Sequence, residues 1–349
     1  MIVILELAIL GFLVMTAALV ATLRDPVEAT AIFAAFSLGL AIVWILLAAP
    51  DVALMEAAVG AGVVVILLLV AAQRTGWSQA DRDDRTGGSF RPLNLRALVV
   101  ILALGLPLFA STRAMPRVGD PEAPSIRLTD PTGAPTPYAH FVGDTGAAYE
   151  IPNAVTVVLL IFRGLDTFGE VIVAFTAVIG VFIVLDRDRF GGLSGDETDG
   201  LKAPSHTVMS PVGRTAVRLV VPLVFAFGVY LTLFGTRLPG GGFQGGVVMG
   251  ASLILVALVF GHVPTGEWID ERALLGTLVG GVLLFLGIAL GSLAFDGAAF
   301  DITRYPLSPI LVVEILEVSI GVLVGGIITS LVFAITAGLL VGPDGGEAE

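Results

Sequence analysis

The chain has 349 residues, of which 56% are hydrophobic and 14% charged, and its formal net charge is −12. Soluble domains have about a quarter of their residues charged, so this composition, with its long apolar runs, predicts a polytopic membrane protein. The absence of cysteine excludes disulfides and thiolate sites, the three histidines share no metal-ligand spacing, and the acidic balance argues against nucleic-acid binding.

Apolar runs of roughly twenty residues predict an all-α protein with about nine transmembrane helices. They lie near residues 2–23, 27–49, 51–73, 96–112, 151–185, 214–235, 242–261, 273–294 and 311–341. The first run lacks a basic leading region and a cleavage pattern, so we interpret it as a retained helix. The run 151–185 is too long for one perpendicular span, and we predict a break in it near Gly164.

Polar segments divide the chain into three membrane blocks. From the N-terminus the predicted parts are a three-helix block at 1–73, a cytoplasmic linker at 74–95, a block at 96–185 with an extracytoplasmic loop at 113–150, a cytoplasmic linker at 186–213, a four-helix block at 214–341 and an acidic tail at 342–349. Most basic residues lie on the side of the two linkers, which the positive-inside rule assigns to the cytoplasm. With an odd number of spans, the N-terminus is then outside and the C-terminus is cytoplasmic.

Two acids occur in the third apolar run. Glu56 lies inside the predicted helix beside small residues, and an acid at membrane depth is a functional candidate by default. Asp51 follows Pro50 in the first turn, where an acid complements the helix dipole. We therefore place Glu56 on an ion path and keep Asp51 as a secondary candidate, with a structural role favoured.

The stretch "FRGLDTFGE" (162–170) places three charges between two very apolar flanks. Asp166 and Glu170 are four residues apart and share a helix face, and Arg163 lies on or near that face. Arg163 and Asp166 could simply neutralise each other at a helix break, but one acid is left over. Because such a carboxyl group can take up and release a proton, Glu170 is the strongest single candidate for a proton relay.

The last apolar run contains another acidic pair. Glu314 and Glu317 are three residues apart on one face, and Asp301 lies in the preceding polar segment. The pair could receive a cation from outside, or it could bind Arg304 or another chain, and both interpretations stay open. We include Glu314 and Glu317 in the candidate ion path and Asp301 as a secondary candidate.

A glycine-rich stretch, "LPGGGFQGG" (238–246), separates two apolar runs. No Gly-Lys-Ser/Thr follows it and the next segment is a predicted membrane helix, so a phosphate-binding loop is excluded. Small residues let membrane helices approach closely. We therefore interpret the motif as structural; its glycines are Gly240, Gly241, Gly242, Gly245 and Gly246.

Three motifs resemble blocks of one family. "APDVALMEAAVGAG" resembles the MbhD-like block of hydrogenase-type small membrane subunits, which also occurs in the C-terminal extension of the large subunit of Mrp-type cation/proton antiporters. "FRGLDTFGE" is similar to a motif of the MbhE-like block that follows it, and "LPGGGFQGG" is similar to the signature of the MnhB/MrpB subunit. The motifs occur in the family's order and, with their helices, cover nearly the whole chain.

This resemblance implies a fused, ion-translocating subunit of a multi-subunit Na⁺/H⁺ antiporter in a prokaryotic cell membrane. It implies that the acids matching Glu56 and Glu170 belong to the proton or sodium path, that no cofactor is needed, and that the partners are large antiporter-like chains and small multi-span subunits. The sequence departs from the pattern in two places. It lacks the long antiporter-like helix series that precedes these blocks, and it has Gly235-Thr236 where Gly-His is frequent.

Three other functions are weighed against this one. The same module could work in a redox-coupled pump, such as a membrane-bound hydrogenase or a complex-I-like oxidoreductase, with the redox centres on other chains. A membrane-embedded enzyme would need a Ser/His dyad, paired catalytic Asp residues or a histidine cluster, and no such set is evident. A passive scaffold would leave the acids within the spans unexplained.

Overall fold

The computed structural model describes residues 2–74, 95–117, 120–124, 126–143, 149–184, 211–260 and 271–340. Within these ranges the chain is helical, without β-strands apart from an isolated bridge between Thr129 and Pro135. The helices are α1 (Ile2–Thr22), α2 (Pro26–Leu46), α3 (Pro50–Met55, Glu56–Val63 and Val64–Arg74), α4 (Leu95–Thr112), α5 (Ala154–Val157 and Val158–Phe162), α6 (Gly164–Val184), α7 (Pro211–Phe234), α8 (Gly242–Phe260), α9 (Glu271–Gly291) and α10 (Pro309–Leu340).

Seven of the described helices are long and apolar enough to cross a membrane, and α4 and α8 are shorter apolar helices. This confirms an all-α polytopic membrane protein. The number of spans and their orientation stay predictions. The predicted linkers and the acidic tail fall mainly outside the described residues, although α7 already begins at Pro211, within the predicted linker 186–213.

Local sequence signals explain where several helices begin. Asp25 caps α2 by accepting hydrogen bonds from the backbone amides of the first turn, and Pro26 follows it with a backbone angle that suits a helix start. Asn153 caps α5 in the same way. Pro50 opens α3, whose middle segment, Glu56–Val63, is a π-helix with wider turns than the α-helical segments on either side.

The chain breaks between α5 and α6. Val158–Phe162 is π-helical, Arg163 leaves helical geometry with φ −120° and ψ 27°, and α6 starts at Gly164. The ring of Phe300 occupies the space beside Gly164, with its Cε1 atom 2.7 Å from where a Cβ would be. The break is therefore where the sequence predicts it, but α6 meets the length of a span by itself and α5 is a separate short helix.

Helix α10 lies at the centre of the bundle. Its spanning window is 78% buried, whereas those of the other six long helices are 11–28% buried. It packs against α6, α7, α8, α9 and the last segment of α3. Small residues allow this packing, because a Cβ on Gly246 of α8 would lie 2.6 Å from the carbonyl oxygen of Gly321 of α10.

Candidate functional site

The glycine-rich loop between α7 and α8 covers residues 235–242 and is the centre of the candidate site. Gly240 and Gly241 have φ angles of +153° and +138°, which side chains other than glycine rarely adopt. The Gly241 amide donates to the carbonyl of Leu231, 3.0 Å away, which folds the loop back on the end of α7. This conformation leaves the amides of Gly240 and Gly242 free to bind groups from other helices.

Asp51 is the first of two buried carboxylates at this loop. It is 9% exposed, and its Oδ1 accepts hydrogen bonds from the Gly240 amide at 3.1 Å and from Asn153 Nδ2 at 3.2 Å. Ala49, not Asp51, is the cap residue of α3. The carboxylate therefore connects the first block to the glycine-rich loop of the third, which the position of Asp51 in a first turn does not reveal.

Glu317 of α10 is the second buried carboxylate. It is 5% exposed, and its Oε2 accepts a hydrogen bond from the Gly242 amide. The Thr156 side chain and the Asp51 carboxylate both interact with it. The lack of a side chain at Gly241 makes room for this group, because a Cβ there would lie 3.1 and 3.2 Å from the two carboxyl oxygens of Glu317.

Glu314 lies on the same face of α10, at the rim of the site. Its side chain is 27% exposed and its Oε1 is 3.5 Å from Arg237 Nη2 and 3.5 Å from the Thr236 hydroxyl. Glu314 and Glu317 thus both face the loop 235–242, but only Glu314 has a basic partner. Within the described residues, no Arg or Lys forms an ion pair with Asp51 or Glu317.

Glu56 lies in a separate polar contact at the start of the π-helical segment of α3. The hydroxyl of Ser37, which is fully buried in α2, is 2.5 Å from Glu56 Oε1 and 3.1 Å from its carbonyl oxygen. Gly60 lies directly beside this pair, where a Cβ would be 2.6 Å from Glu56 Oε1. Glu56 is thus held on α2, apart from the glycine-rich loop.

The three charges of "FRGLDTFGE" face outward. Arg163 and Asp166 form an ion pair of 2.6 Å, with side chains that are 60% and 57% exposed. Glu170 of α6 is also exposed. The structure therefore brings Asp51, Glu314 and Glu317 together but leaves these three charges on the outer surface of the chain.

Asp301 lies in the segment between α9 and α10, outside the spans. The Thr303 hydroxyl, 2.5 Å from Asp301 Oδ1, holds the pKa of this carboxyl group below its usual value, and Arg304 at 3.3 Å acts in the same direction. Asp301 is thus engaged by its own segment rather than by the glycine-rich loop.

Sequence reasoning missed several polar residues of the site. Asn153 donates from its side chain to Asp51, Thr156 donates to the carbonyl of Gly235 at 2.8 Å, and Ser37 binds Glu56. Only Asn153 carries a sequence signal, because an Asn that precedes an apolar run predicts a helix cap. Its contact with Asp51, 102 residues away, depends on how the helices pack.

Two family models match the chain. Residues 212–342 match the domain related to the MnhB subunit of the Na⁺/H⁺ antiporter. Residues 11–76 match MbhD, a family of MBH subunits. The glycine-rich loop and both α10 glutamates lie within the first match, and Asp51 and Glu56 lie within the second.

Two solved structures have a similar fold. The Mrp complex from Dietzia sp. DQ12-45-1b contains a chain with a TM-score of 0.66 and 21% identity, over 98% of this chain and 35% of that one. The membrane-bound sulfane sulfur reductase, an archaeal respiratory membrane complex, gives 0.50 and 24%, over 70% of this chain and 97% of that one. At these identities the likeness concerns the fold alone.

Curated relatives match mostly parts of the chain. An uncharacterized protein of Methanocaldococcus jannaschii is 30% identical over 40% of this chain and 57% of its own length. A probable K⁺/H⁺ antiporter protein of Rhizobium meliloti, named as a joined A/B component, is 29% identical over 34% of this chain and 13% of its own length. This chain therefore spans only part of either relative. A putative antiporter subunit mnhB2 of Staphylococcus aureus MRSA252 is 30% identical over 36% of this chain, and the match covers 93% of that protein. With an MbhD block ahead of its MnhB-related domain, the chain belongs to the family of MnhB-related antiporter subunits.

Proposed function

We propose that this protein is an ion-translocating subunit of a multi-subunit Mrp-type antiporter in a prokaryotic cell membrane, which exchanges Na⁺ or another monovalent cation for H⁺. The observation that carries the proposal is the pair of buried carboxylates, Asp51 and Glu317, on the amides of one glycine-rich loop. The family of the chain and its membrane-spanning fold support it as well.

The surroundings of Glu317 suit a group that changes its protonation state. Burial disfavours the charged carboxylate, whereas the Gly242 amide stabilises it. With these opposing effects and no ion-pair partner within the described residues, the carboxyl group can exist in either form. In this mechanism Glu317 carries the proton, Asp51 is its neighbour on the path, and Glu314 with Thr236 forms the polar rim where a cation would enter.

The other predicted acids have separate places in this proposal. Glu56 would be a second proton-carrying group, with the Ser37 hydroxyl as its hydrogen-bond partner. Arg163, Asp166 and Glu170 are exposed on the chain, and charged groups at membrane depth face protein or water rather than lipid. Their part of a path would therefore run between this chain and another component of the antiporter.

The experiment is cation-driven proton movement in everted vesicles that contain the complete assembly, measured with Na⁺ and with K⁺. We expect Glu317→Gln to lower the exchange rate by about tenfold or more, because the amide keeps the shape of the side chain but cannot carry a proton. Asp51→Asn is expected to lower it as well. Exchange at the wild-type rate in Glu317→Gln would overturn the assignment.

Matched controls separate transport from assembly. Glu28→Gln and Asp296→Asn make the same chemical changes at exposed positions and are expected to leave exchange unchanged. The amount of assembled complex is measured for each variant by native gel electrophoresis. If Glu56→Gln and Glu170→Gln transport normally but fail to assemble, those two residues have a scaffold role.

A second candidate function is a component of a redox-coupled ion pump. The fold likeness to an archaeal respiratory membrane complex favours it, with a TM-score of 0.50 over 97% of the compared chain. Mass spectrometry of the assembly, purified from its host in mild detergent, distinguishes the two functions. Companions that are only antiporter-like and small multi-span chains support the exchanger, and iron–sulfur or nickel proteins in the same peak support the pump.

A further inference from the structure

Asn153 connects all three blocks of the chain through one half-buried side chain. Its amide nitrogen, Nδ2, lies 3.2 Å from Asp51 Oδ1, 2.9 Å from the carbonyl oxygen of Gly235 and 3.2 Å from that of Leu238. Asn153 belongs to the middle block, Asp51 to the first, and Gly235 and Leu238 to the third. The side chain therefore holds both an acid of the proposed path and the loop that binds this acid.

The cap of α5 fixes the orientation of this amide. Asn153 Oδ1 accepts hydrogen bonds from the backbone amides of Val155 at 3.0 Å and Thr156 at 3.4 Å. A flipped amide would place its oxygen against the two loop carbonyls and the Asp51 carboxylate, which are all acceptors. The NH₂ group must therefore face the loop.

The neighbouring backbone holds the same loop. The Asn153 amide donates to the carbonyl of Thr236 at 3.0 Å, and the Thr156 hydroxyl donates to that of Gly235 at 2.8 Å. The start of α5 thus fixes the first half of the loop, whose second half presents the Gly240 and Gly242 amides to Asp51 and Glu317.

We infer that Asn153 is a positioning residue for this site: its NH₂ group holds the loop 235–242 so that the Gly240 and Gly242 amides stay on Asp51 and Glu317. The inference rests on the proposed function, because it assigns Asn153 a role in the exchange made by those two acids. The competing role is that of a helix cap alone, which needs only Oδ1.

Three substitutions separate the two roles. Asp and Ser cap helices about as well as Asn does, but neither supplies an NH₂ donor, whereas Ala supplies neither group. A cap role therefore predicts wild-type behaviour for Asn153→Asp and Asn153→Ser and a defect only for Asn153→Ala. A positioning role predicts defects in all three, with Asn153→Asp the most severe because it sets a second carboxylate against Asp51.

The experiment measures exchange in vesicles with the complete assembly, over a range of pH. We expect Asn153→Ser to lower the rate by about tenfold, the effect of losing a hydrogen bond to a charged group. In Asn153→Asp the pH profile is expected to move toward higher pH, since two adjacent carboxylates hold a shared proton more strongly. A helix cap would not move this profile.

A second readout follows the loop directly. The chain has no cysteine, so a single cysteine introduced at the exposed Leu238 can carry a spin label. Greater label mobility in Asn153→Ser than in the parent supports the inference. If Glu317→Gln stops exchange but both Asn153→Asp and Asn153→Ser keep the wild-type rate and label mobility, the inference is overturned. If Glu317→Gln itself transports normally, it is the proposed function that fails.

Discussion

At the scale of single residues, the glycines of the loop 235–242 are what allow two carboxylates to lie next to a protein backbone. Gly240 and Gly241 have positive φ angles, and Gly242 lies so close to α10 that a Cβ would be 2.9 Å from the Cβ of Ile320. The interpretation of the motif as purely structural was therefore incomplete. Gly245 and Gly246 contact neighbouring helices, whereas Gly240 and Gly242 donate to Asp51 and Glu317.

Gly241 gives a prediction at this scale. Gly241→Ala forces a side chain into φ +138° and places a Cβ 3.1 Å from Glu317 Oε2, so we expect a destabilised loop and an exchange rate lowered by about tenfold, the equivalent of about 1.4 kcal/mol. The measurement is the vesicle exchange assay together with the amount of assembled complex. Gly276→Ala is the control, because nothing lies within 4 Å of its added Cβ. A wild-type rate in Gly241→Ala would show that the loop conformation is not needed for transport.

At the scale of helices, the sequence predicted most of what the structure has, since apolar length and helix-start residues are local signals. Asp25, Pro50 and the break near Gly164 are examples. It could not place Glu170, which is exposed on α6, or pair Asp51 with Gly240, 189 residues away. Which face of an apolar helix meets which neighbour depends on the fit of many small side chains, and hydropathy does not report that fit.

The break between α5 and α6 gives the prediction at the scale of elements. Gly164→Ala pushes against the Phe300 ring, so we expect a cost of about 1–3 kcal/mol and a lower midpoint of thermal unfolding. In a Phe300→Ala background the same change should cost less, because the obstacle is gone. Gly169→Ala, on the same helix and with open space at its Cβ, is the control. Equal effects of Gly164→Ala in both backgrounds would contradict the contact.

Loop packing around this break belongs to the same scale. The rings of His140, Phe141 and Tyr149 lie 5.3, 5.1 and 5.9 Å from the ring of Phe162, the last residue of α5. Phe300 contacts the first residue of α6 from the other side. Segments outside the spans therefore cover the break, which explains how a helix can be interrupted there without leaving its neighbours.

At the scale of the whole molecule, the three blocks share one core. Helix α10 of the third block contacts α3 of the first and α6 of the second, and Asp51 and Asn153 bind the glycine-rich loop. We therefore expect the chain to stay together after it is cut. With a protease site inserted between residues 185 and 210 and cleaved after assembly, the two pieces should co-elute in detergent. Separation of the pieces would contradict a shared core, and an uncut chain treated with the same protease is the control.

The joining of these blocks in one chain has a consequence for assembly. The match to the Staphylococcus aureus protein covers 93% of that protein but only the third block of this chain, so there the equivalent of the loop's contacts with Asp51 and Asn153 would lie between separate molecules. A covalent connection turns such a contact into an intramolecular one with a high effective concentration. Hydrogen bonds worth about 1 kcal/mol each are then enough to keep the contact closed. Every copy of the glycine-rich loop is also made with one Asp51 and one Asn153, so the ratio of the parts is set at translation rather than by the supply of separate chains.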